Sequence, residues 1–449
     1  MLRVAFSTIG CKLNQFETMG IRGFFEERGY QIVPFPSPAD IYVVNTCTVT
    51  GKSDYRSRQA IRKALRTNPA SFVVVTGCYA QLNPQEIARI KGVDLILGND
   101  EKFFFSKYFI EPKKLSSPAI LTSDLASKTS FTTYSLKAFP GYTRAFVKIQ
   151  DGCNASCSYC AVRGARGINR SENPEIIISQ ISQLVAAGHK EVVLTGIHLG
   201  TYGLDLGREI SLAGLLKRLR DISDLRKVRL SSVEPREFTP ELIEEIADNP
   251  KVCHHLHIPL QSGDPDILRR MNRDYDPSYY YDLVTRLKSL MPDLAIGADV
   301  IVGFPGEEEQ HFRNAYQFIQ ELPITYLHVF SYSKRKGTPA ASFPQQVPAE
   351  IKRERSLELR RLGRQKNLAF KKGFLGKTVE VLVENTRDKE TGLLKGITDN
   401  YIKVLLPDNK CSGSTQRVPG YPLGAAMNNY CPVQITAITA DKVYGEWAP

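Results

Sequence analysis

The stretch Asp151–Arg166, DGCNASCSYCAVRGAR, constrains this chain more than any other. It sets Cys153, Cys157 and Cys160 in a C-x3-C-x2-C array directly after the apolar run Ala145–Ile149. Three thiolates so close together, on a loop leaving a strand, can bind three corners of a cubane iron–sulfur cluster. The fourth iron would lack a protein ligand, and an open metal position is what a site needs to bind and split a small molecule. The competing reading is a structural zinc knot, which takes four ligands from Cys and His. No further Cys or His follows Cys160 at short spacing, His189 and His198 being the next candidates, so the spacing favours the cluster.

The chain has 449 residues, enough for about three domains with sizeable cores. Its nine cysteines are an odd number at spacings unlike a small secreted scaffold, which fits free thiols and metal ligands in a reducing cytosol. The first residues, MLRVAFSTIGCKLNQ, lack the apolar core and cleavage site of a signal peptide, and no apolar run is long enough for a membrane span. A cytoplasmic protein is expected. The net charge of +12, from 59 basic and 47 acidic residues, is compatible with a polyanionic partner without specifying one.

Three short apolar segments near the N-terminus each end at a cysteine: Val4–Thr8 before Cys11, Ile41–Thr46 before Cys47, and Phe72–Thr76 before Cys78. Helical patterns near Gln15–Arg28 and Ser53–Arg66 lie between them, so the block reads as a parallel α/β sheet with right-handed crossovers. Ligands collect at the carboxyl ends of such strands, which places Cys11, Cys47 and Cys78 on one edge. Two roles are open to them: a second three-cysteine metal site, which their equivalent placement favours, or buried thiols packing as small hydrophobes. The second helix carries Arg58, Arg62 and Arg66 as one basic stripe, either a solvated face or a phosphate-binding one.

Residues 113–140 are rich in Ser, Thr, Lys and Pro and read as a linker or an ordered crossing segment. Beyond it, apolar strands near Ala145–Ile149, Glu191–Thr195, Val228–Ser231, Leu256–Leu260, Leu294–Val302 and Tyr326–Phe330 alternate with helical patterns. Six βα units are too few for a full eight-stranded barrel, so a partial, open-sided barrel is expected, with its active face at the carboxyl ends of the strands. The candidates there are Thr195, Gly196, Ser232, Glu234 and Gln261. Gly196 would allow close backbone approach to a ligand, and Glu234 or Gln261 could bond hydroxyls or an amine. His255 and His257 share one strand face while His254 points away, which suits pocket or core histidines better than a metal site.

Glu350–Gly373 is a basic helical pattern with nine Lys or Arg, including Arg360, Arg361 and Arg364, against three Glu. Short alternating segments follow, among them Thr378–Asn385, Tyr401–Leu406, Val433–Thr439 and Lys442–Trp447, and read as a small closed barrel of oligonucleotide-binding type.

The C-x3-C-x2-C array, with Tyr159 before its last cysteine, resembles the radical S-adenosylmethionine (SAM) motif. Two three-cysteine sets, a central barrel and a C-terminal barrel together resemble the methylthiotransferase family along essentially the whole chain. The stretches STIGCKLNQFET, NTCTVTGKSDYRSRQAIR, HIPLQSGDPDILRRMNR, DVIVGFPGE and HVFSYSKRKGTPA are most similar to its tRNA threonylcarbamoyladenosine subgroup. Sister branches modify isopentenyladenosine in tRNA or an aspartate of a ribosomal protein. The resemblance implies a cluster-binding domain at 1–112, a radical SAM core at 141–366 and an RNA-binding TRAM domain at 372–447. It implies two [4Fe–4S] clusters and SAM, with Cys153, Cys157 and Cys160 holding the radical-generating cluster. Cys11, Cys47 and Cys78 would hold an auxiliary cluster carrying the sulfur, and Tyr159 would lie at the cofactor. A methylthio group would replace the hydrogen on carbon 2 of the adenosine just 3′ of the anticodon. The implied partners are a tRNA anticodon stem-loop and an electron donor such as flavodoxin or ferredoxin. The insertion Asp408–Leu423 departs from a compact TRAM barrel. A metal-bearing RNA-binding module without catalysis is the alternative of another class. Cys253, Cys411 and Cys431 have no role in either reading.

Overall fold

The computed structural model describes residues 1–109, 111–207, 209–408 and 428–448. The N-terminal block is a six-stranded parallel sheet. Its strands are β1 (Arg3–Thr8), β2 (Gln31–Val33), β3 (Ile41–Thr46), β4 (Phe72–Gly77), β5 (Leu95–Leu97) and β6 (Ala119–Leu121), in the order β2-β1-β3-β4-β5-β6. The central strands β3 and β4 are buried at every position, as their apolar runs Ile41–Val44 and Phe72–Val75 require when helices cover both faces. Helices α1 (Lys12–Glu27), α2 (Gly51–Thr67) and α3 (Cys78–Leu82) open directly beyond the ends of β1, β3 and β4. Thr50 caps α2 by accepting from the Ser53 N–H.

The segment expected as a linker is tied down. Ala119–Leu121 hydrogen-bonds to β5 as the sheet's edge, and the Tyr134 ring lies against Gly20, where any Cβ would collide with it. A three-residue edge strand is too short to show a period in the sequence, and a polar composition does not forbid it.

The central domain is a half-open barrel of six parallel strands. These are β7 (Arg144–Lys148), β10 (Glu191–Thr195), β11 (Lys227–Leu230), β12 (His255–His257), β13 (Ala295–Val302) and β14 (Tyr326–Ser331). Between β7 and β10 a small antiparallel pair, β8 (Gln150–Asp151) and β9 (Arg170–Ser171), brackets the cysteine loop. The two three-stranded halves meet through isolated bridges Val228↔Val252 and Ser232↔His257, and β7 and β14 do not pair. Three of the covering helices start with a capping side chain followed by proline, at Asn173-Pro174, Thr239-Pro240 and Asp276-Pro277. A fourth such start, Asp264-Pro265, opens the short helix Pro265–Arg270, which the sequence pattern did not separate from its neighbours.

The basic helix runs over Ala349–Lys372. It leads to a closed barrel of β15 (Thr378–Arg387), β16 (Leu394–Thr398), β17 (Lys403–Leu406), β18 (Tyr430–Ile438) and β19 (Val443–Trp447), ordered β15-β16-β17-β19-β18. Beyond Asp408, the expected insertion Asp408–Leu423, with Cys411, lies outside the described residues. The small barrel seats against the amino ends of the central strands. Arg229 donates to the carbonyls of Thr398 at 3.2 Å and Asp399 at 2.8 Å, and the Tyr401 ring stacks on His255 with centroids 4.3 Å apart. The large barrel is therefore closed below and open above.

Candidate active site

Cys11, Cys47 and Cys78 stand level because their strands do. Thr8 pairs with Asn45, and Thr46 with Gly77, one residue before Cys47 and Cys78 respectively in the second pair. A Cβ added to Gly10 would lie 3.0 Å from the Cys47 Cβ, and the Cys47 thiol feels the charges of both Cys78 and Cys11. Gly77 has a φ of +95°, and a Cβ there would come within 2.4 Å of Asn45 Oδ1 and of the Thr46 carbonyl, so glycine is required where β4 turns into α3. Asn14 binds two of the loops, its amide donating to the Ile9 and Thr46 carbonyls at 2.8 and 2.9 Å. Its Oδ1 accepts from Cys11 Sγ at 3.7 Å, and Asn99 Nδ2 donates to Cys78 Sγ at 3.6 Å.

The second trio sits at the upper rim of the central barrel. Cys153 N–H donates to the Gly167 carbonyl at 3.0 Å and Cys160 N–H to the Cys157 carbonyl at 3.1 Å, which coils the loop on itself. Ser158 fastens it to the Pro265–Arg270 helix, donating through its N–H to Met271 O at 3.0 Å and through its hydroxyl to Arg270 O at 2.7 Å. Each sulfur meets a nitrogen: Arg273 Nη1 lies 3.2 Å from Cys157, Val162 N 3.4 Å from Cys160, and His198 Nδ1 3.4 Å from Cys153. Burial alone would lower His198, but the Cys153 thiol and the Glu237 carboxylate on its other nitrogen hold it at about 10. Tyr159 is packed against Met271, Phe304 and Tyr332.

The N-terminal block and the barrel share a cavity of about 160 Å³, lined by Cys160 of the second trio and by Val49 and Thr50 just beyond Cys47, with Tyr159, Asp299 and Tyr332 among others. The N-terminal wall is latched to the barrel by Arg335, which donates to Thr48 Oγ1 at 2.7 Å and to Asp54 Oδ2 at 2.6 Å. Gly51 N–H adds a bond to Ser333 Oγ at 2.9 Å.

Comparison with known proteins matches residues 3–98 to an uncharacterized protein family, UPF0004, and residues 147–319 to the radical SAM superfamily. The chain is 42% identical to the threonylcarbamoyladenosine tRNA methylthiotransferase of Bacillus subtilis, over 90% of each chain. It is 39% identical to the protein of the same name from Aquifex aeolicus, over 93% of this chain and all of that one. The chain belongs to the radical SAM methylthiotransferase family. It is also 35% identical to a tRNA-2-methylthio-N(6)-dimethylallyladenosine synthase of Clostridium botulinum, over 87% of this chain and 88% of that one. In fold it is like a radical SAM methyltransferase from Kitasatospora setae, with a TM-score of 0.54 at 15% identity over 76% of this chain and 77% of that one.

The cofactors of this methylthiotransferase are two [4Fe–4S] clusters and SAM. Both thiol trios fit such groups. Burial pushes the Cys47 thiol up to about 11 and Cys160 up to about 12, so iron is what would keep them ionised. N–H groups aimed at the sulfurs suit thiolates. Among the described residues, the groups tight enough for one ion, with ligand atoms within 4.8 Å, are His257–Asp299–His328 and Asp264–Asp266–His311, and neither contains cysteine.

Several other expected residues are engaged differently. The close approach at Gly196 is to Gln150, whose Oε1 would lie 2.7 Å from an added Cβ and accepts from the N–H groups of Ile197 and His198. Thr195 is buried and its hydroxyl returns to Val193 O at 3.1 Å. Glu234 is ion-paired to Arg273 and shares a capping box with Glu237, while Ser232 is half-buried beside β12. Gln261, with φ +66°, does line the shared cavity. Arg58 donates to the Tyr79 hydroxyl at 2.9 Å, which removes it from the exposed stripe that Arg62 and Arg66 keep. Arg360 and Arg364 line a separate cleft of about 480 Å³ between the basic helix and the small barrel, and Arg361 is exposed nearby. Cys253 and Cys431 are buried, the latter in the small barrel's core.

The residue that joins the two sites was not foreseen. Arg166, fully buried at the end of the cysteine loop, donates to Glu17 at 2.8 Å, to Asp151 at 3.2 Å and to Asn14 Oδ1 at 2.8 Å. Lys102 and Lys148 complete this network by pairing with Glu17 and Asp151. Only the pairing of Arg166 with Asp151 lies within a sequence window that pattern reading covers.

Proposed function

We propose that this enzyme places a methylthio group on carbon 2 of threonylcarbamoyladenosine, next to the anticodon of a tRNA. The observation that carries the reading is the level placement of one thiol trio at the N-terminal sheet edge together with a second trio on the barrel rim, whose Cys160 lines a cavity that Val49 and Thr50, just beyond Cys47, also line. Supporting it are the relatives of that name, at 35–42% identity over at least nine-tenths of this chain. Cys153, Cys157 and Cys160 would hold the cluster that cleaves SAM, and Cys11, Cys47 and Cys78 the cluster that carries sulfur. When bound, these groups supply a carbon radical and a transferable methylthio sulfur, which an inert aromatic C–H demands because no acid or base in the chain could remove that proton. The protein's own part is to hold, orient and dry the site. Tyr159, Phe304 and Tyr332 form its apolar wall, and Arg273 stays beside the Cys157 sulfur.

The tRNA would place phosphates on the cleft residues Arg360, Arg364, Lys371 and Lys403, and a splayed base would reach the cavity. A small cytoplasmic electron carrier such as flavodoxin or ferredoxin would supply reducing equivalents. Among the described residues no helix is long and apolar enough to cross a membrane.

Mass spectrometry of tRNA nucleosides from a deletion strain tests the substrate: loss of the methylthio form of threonylcarbamoyladenosine is expected. In reconstituted enzyme, Cys153→Ala should abolish SAM cleavage, while Cys11→Ala should keep cleavage and lose sulfur transfer. Zinc without iron in anaerobically purified protein would instead point to a non-catalytic RNA-binding module.

A further inference from the structure

We propose that His257, Asp299 and His328 form a binding site for one first-row divalent cation on the wall of the large barrel, separate from both thiol trios. Three neighbouring strands supply the residues, through the triplets HLH in β12, GAD in β13 and YLH in β14. Gly297 pairs with His257 on one side and Tyr326 on the other, and Asp299 pairs with His328. Side chains two apart on a strand share a face, so Asp299 rises beside His257 and His328 together. Within β12 itself, His257 finds no such partners, which is why the strand's own histidines did not suggest a metal.

The ligand atoms converge on one point. His257 Nε2 lies 3.0 Å from Asp299 Oδ1, and His328 Nδ1 lies 3.3 Å from the same oxygen. The three atoms are all within 4.8 Å of one another. Metal bonds of about 2.0–2.2 Å, meeting at tetrahedral or octahedral angles, put ligand atoms roughly 3–3.5 Å apart. The two imidazoles lie side by side, with centroids 5.1 Å apart and planes inclined by 29°, so both can reach one ion without turning away from Asp299. Two neutral imidazoles and a carboxylate suit zinc or ferrous iron better than a hard cation such as magnesium or calcium.

The site also has a way in. Its side chains go from 11% exposed at His257 through 27% at Asp299 to 55% at His328. His328 lines the cleft beside the small barrel, and Asp299 lines the cavity that Cys160 borders. Three protein ligands leave at least one coordination position for water or another oxygen ligand. The second close group, Asp264–Asp266–His311, is spent on its own helix ends. Asp264 accepts from the Asp266 and Ile267 N–H groups and from Asn314, and His311 Nδ1 accepts from the Glu308 N–H.

The test uses anaerobically purified holoenzyme with both clusters loaded, so that the cysteine thiols are occupied, dialysed to equilibrium against zinc ion alone. Elemental analysis should find one zinc per chain beyond the cluster iron. Zinc-edge X-ray absorption should show a nitrogen and oxygen shell at about 2.0–2.1 Å. His328→Ala, a change at a largely exposed side chain, and Asp299→Asn should each weaken zinc binding by more than the roughly 10–100-fold that loss of an outer-shell partner costs. Variants are compared at equal iron content, which shows that the chain has folded and kept its clusters. A sulfur shell near 2.3 Å would place the zinc on thiols and overturn the site. So would wild-type holoenzyme that takes up no zinc, or an affinity unchanged in both variants.

Discussion

Arg166 has no counterpart it could shed without cost, because Glu17 and Asp151 are both out of water. Burial alone would raise Glu17, but Arg166 and Lys102 hold it below the usual carboxylate range; Lys148 and Arg166 do the same for Asp151. Replacing Arg166 by Met leaves two buried carboxylates short of a cation, a loss of about 3–5 kcal/mol. Thermal unfolding should show a lower midpoint, and a wild-type midpoint would remove Arg166 from its role as the joint. The sign with pH follows from the depressed values: the stabilisation is present above the ordinary carboxylate pKa of about 4 and is lost as pH falls below it. Wild-type melting temperature should therefore fall more steeply between pH 5 and pH 3 than that of Arg166→Met. The cysteine array was legible because its ligands are neighbours in sequence, whereas Glu17 and Arg166 are 149 residues apart and share no period. Gly196 shows a subtler limit. A glycine announces that something comes close, and only the folded chain brings Gln150 there.

Strand ends could be read from the sequence because the apolar runs of β3 and β4 give way, at Asn45-Thr46 and Thr76-Gly77, to polar or small residues just before Cys47 and Cys78. The three-residue strands β2, β5 and β6 were not, since so short a run carries no periodicity. The turn from β4 into α3 is the element most exposed to a single change. Gly77→Ala must strain a φ of +95° and push a methyl against the Thr46 carbonyl, costing about 1–3 kcal/mol and displacing Cys78. Reconstituted Gly77→Ala should hold roughly half the wild-type iron, four atoms per cubane, and still cleave SAM. Full iron content would show that the N-terminal trio tolerates the displacement.

The whole molecule is three units held by charge as much as by packing: Arg166 ties sheet to barrel, Arg335 latches the cavity wall, and Arg229 seats the small barrel. The surface between the basic helix and the small barrel is expected to contact phosphates, so tRNA affinity should fall linearly with log salt. Arg360→Ala and Arg364→Ala should each reduce that slope by about 1, without altering which base is chosen. Unchanged slopes in both would move the RNA path elsewhere. Tyr401 and its neighbours stop the lower mouth of the large barrel. A nucleotide that enters such a blind sleeve has to back out through the doorway it came in by. Finished product would thus have to clear that opening before a successor could enter.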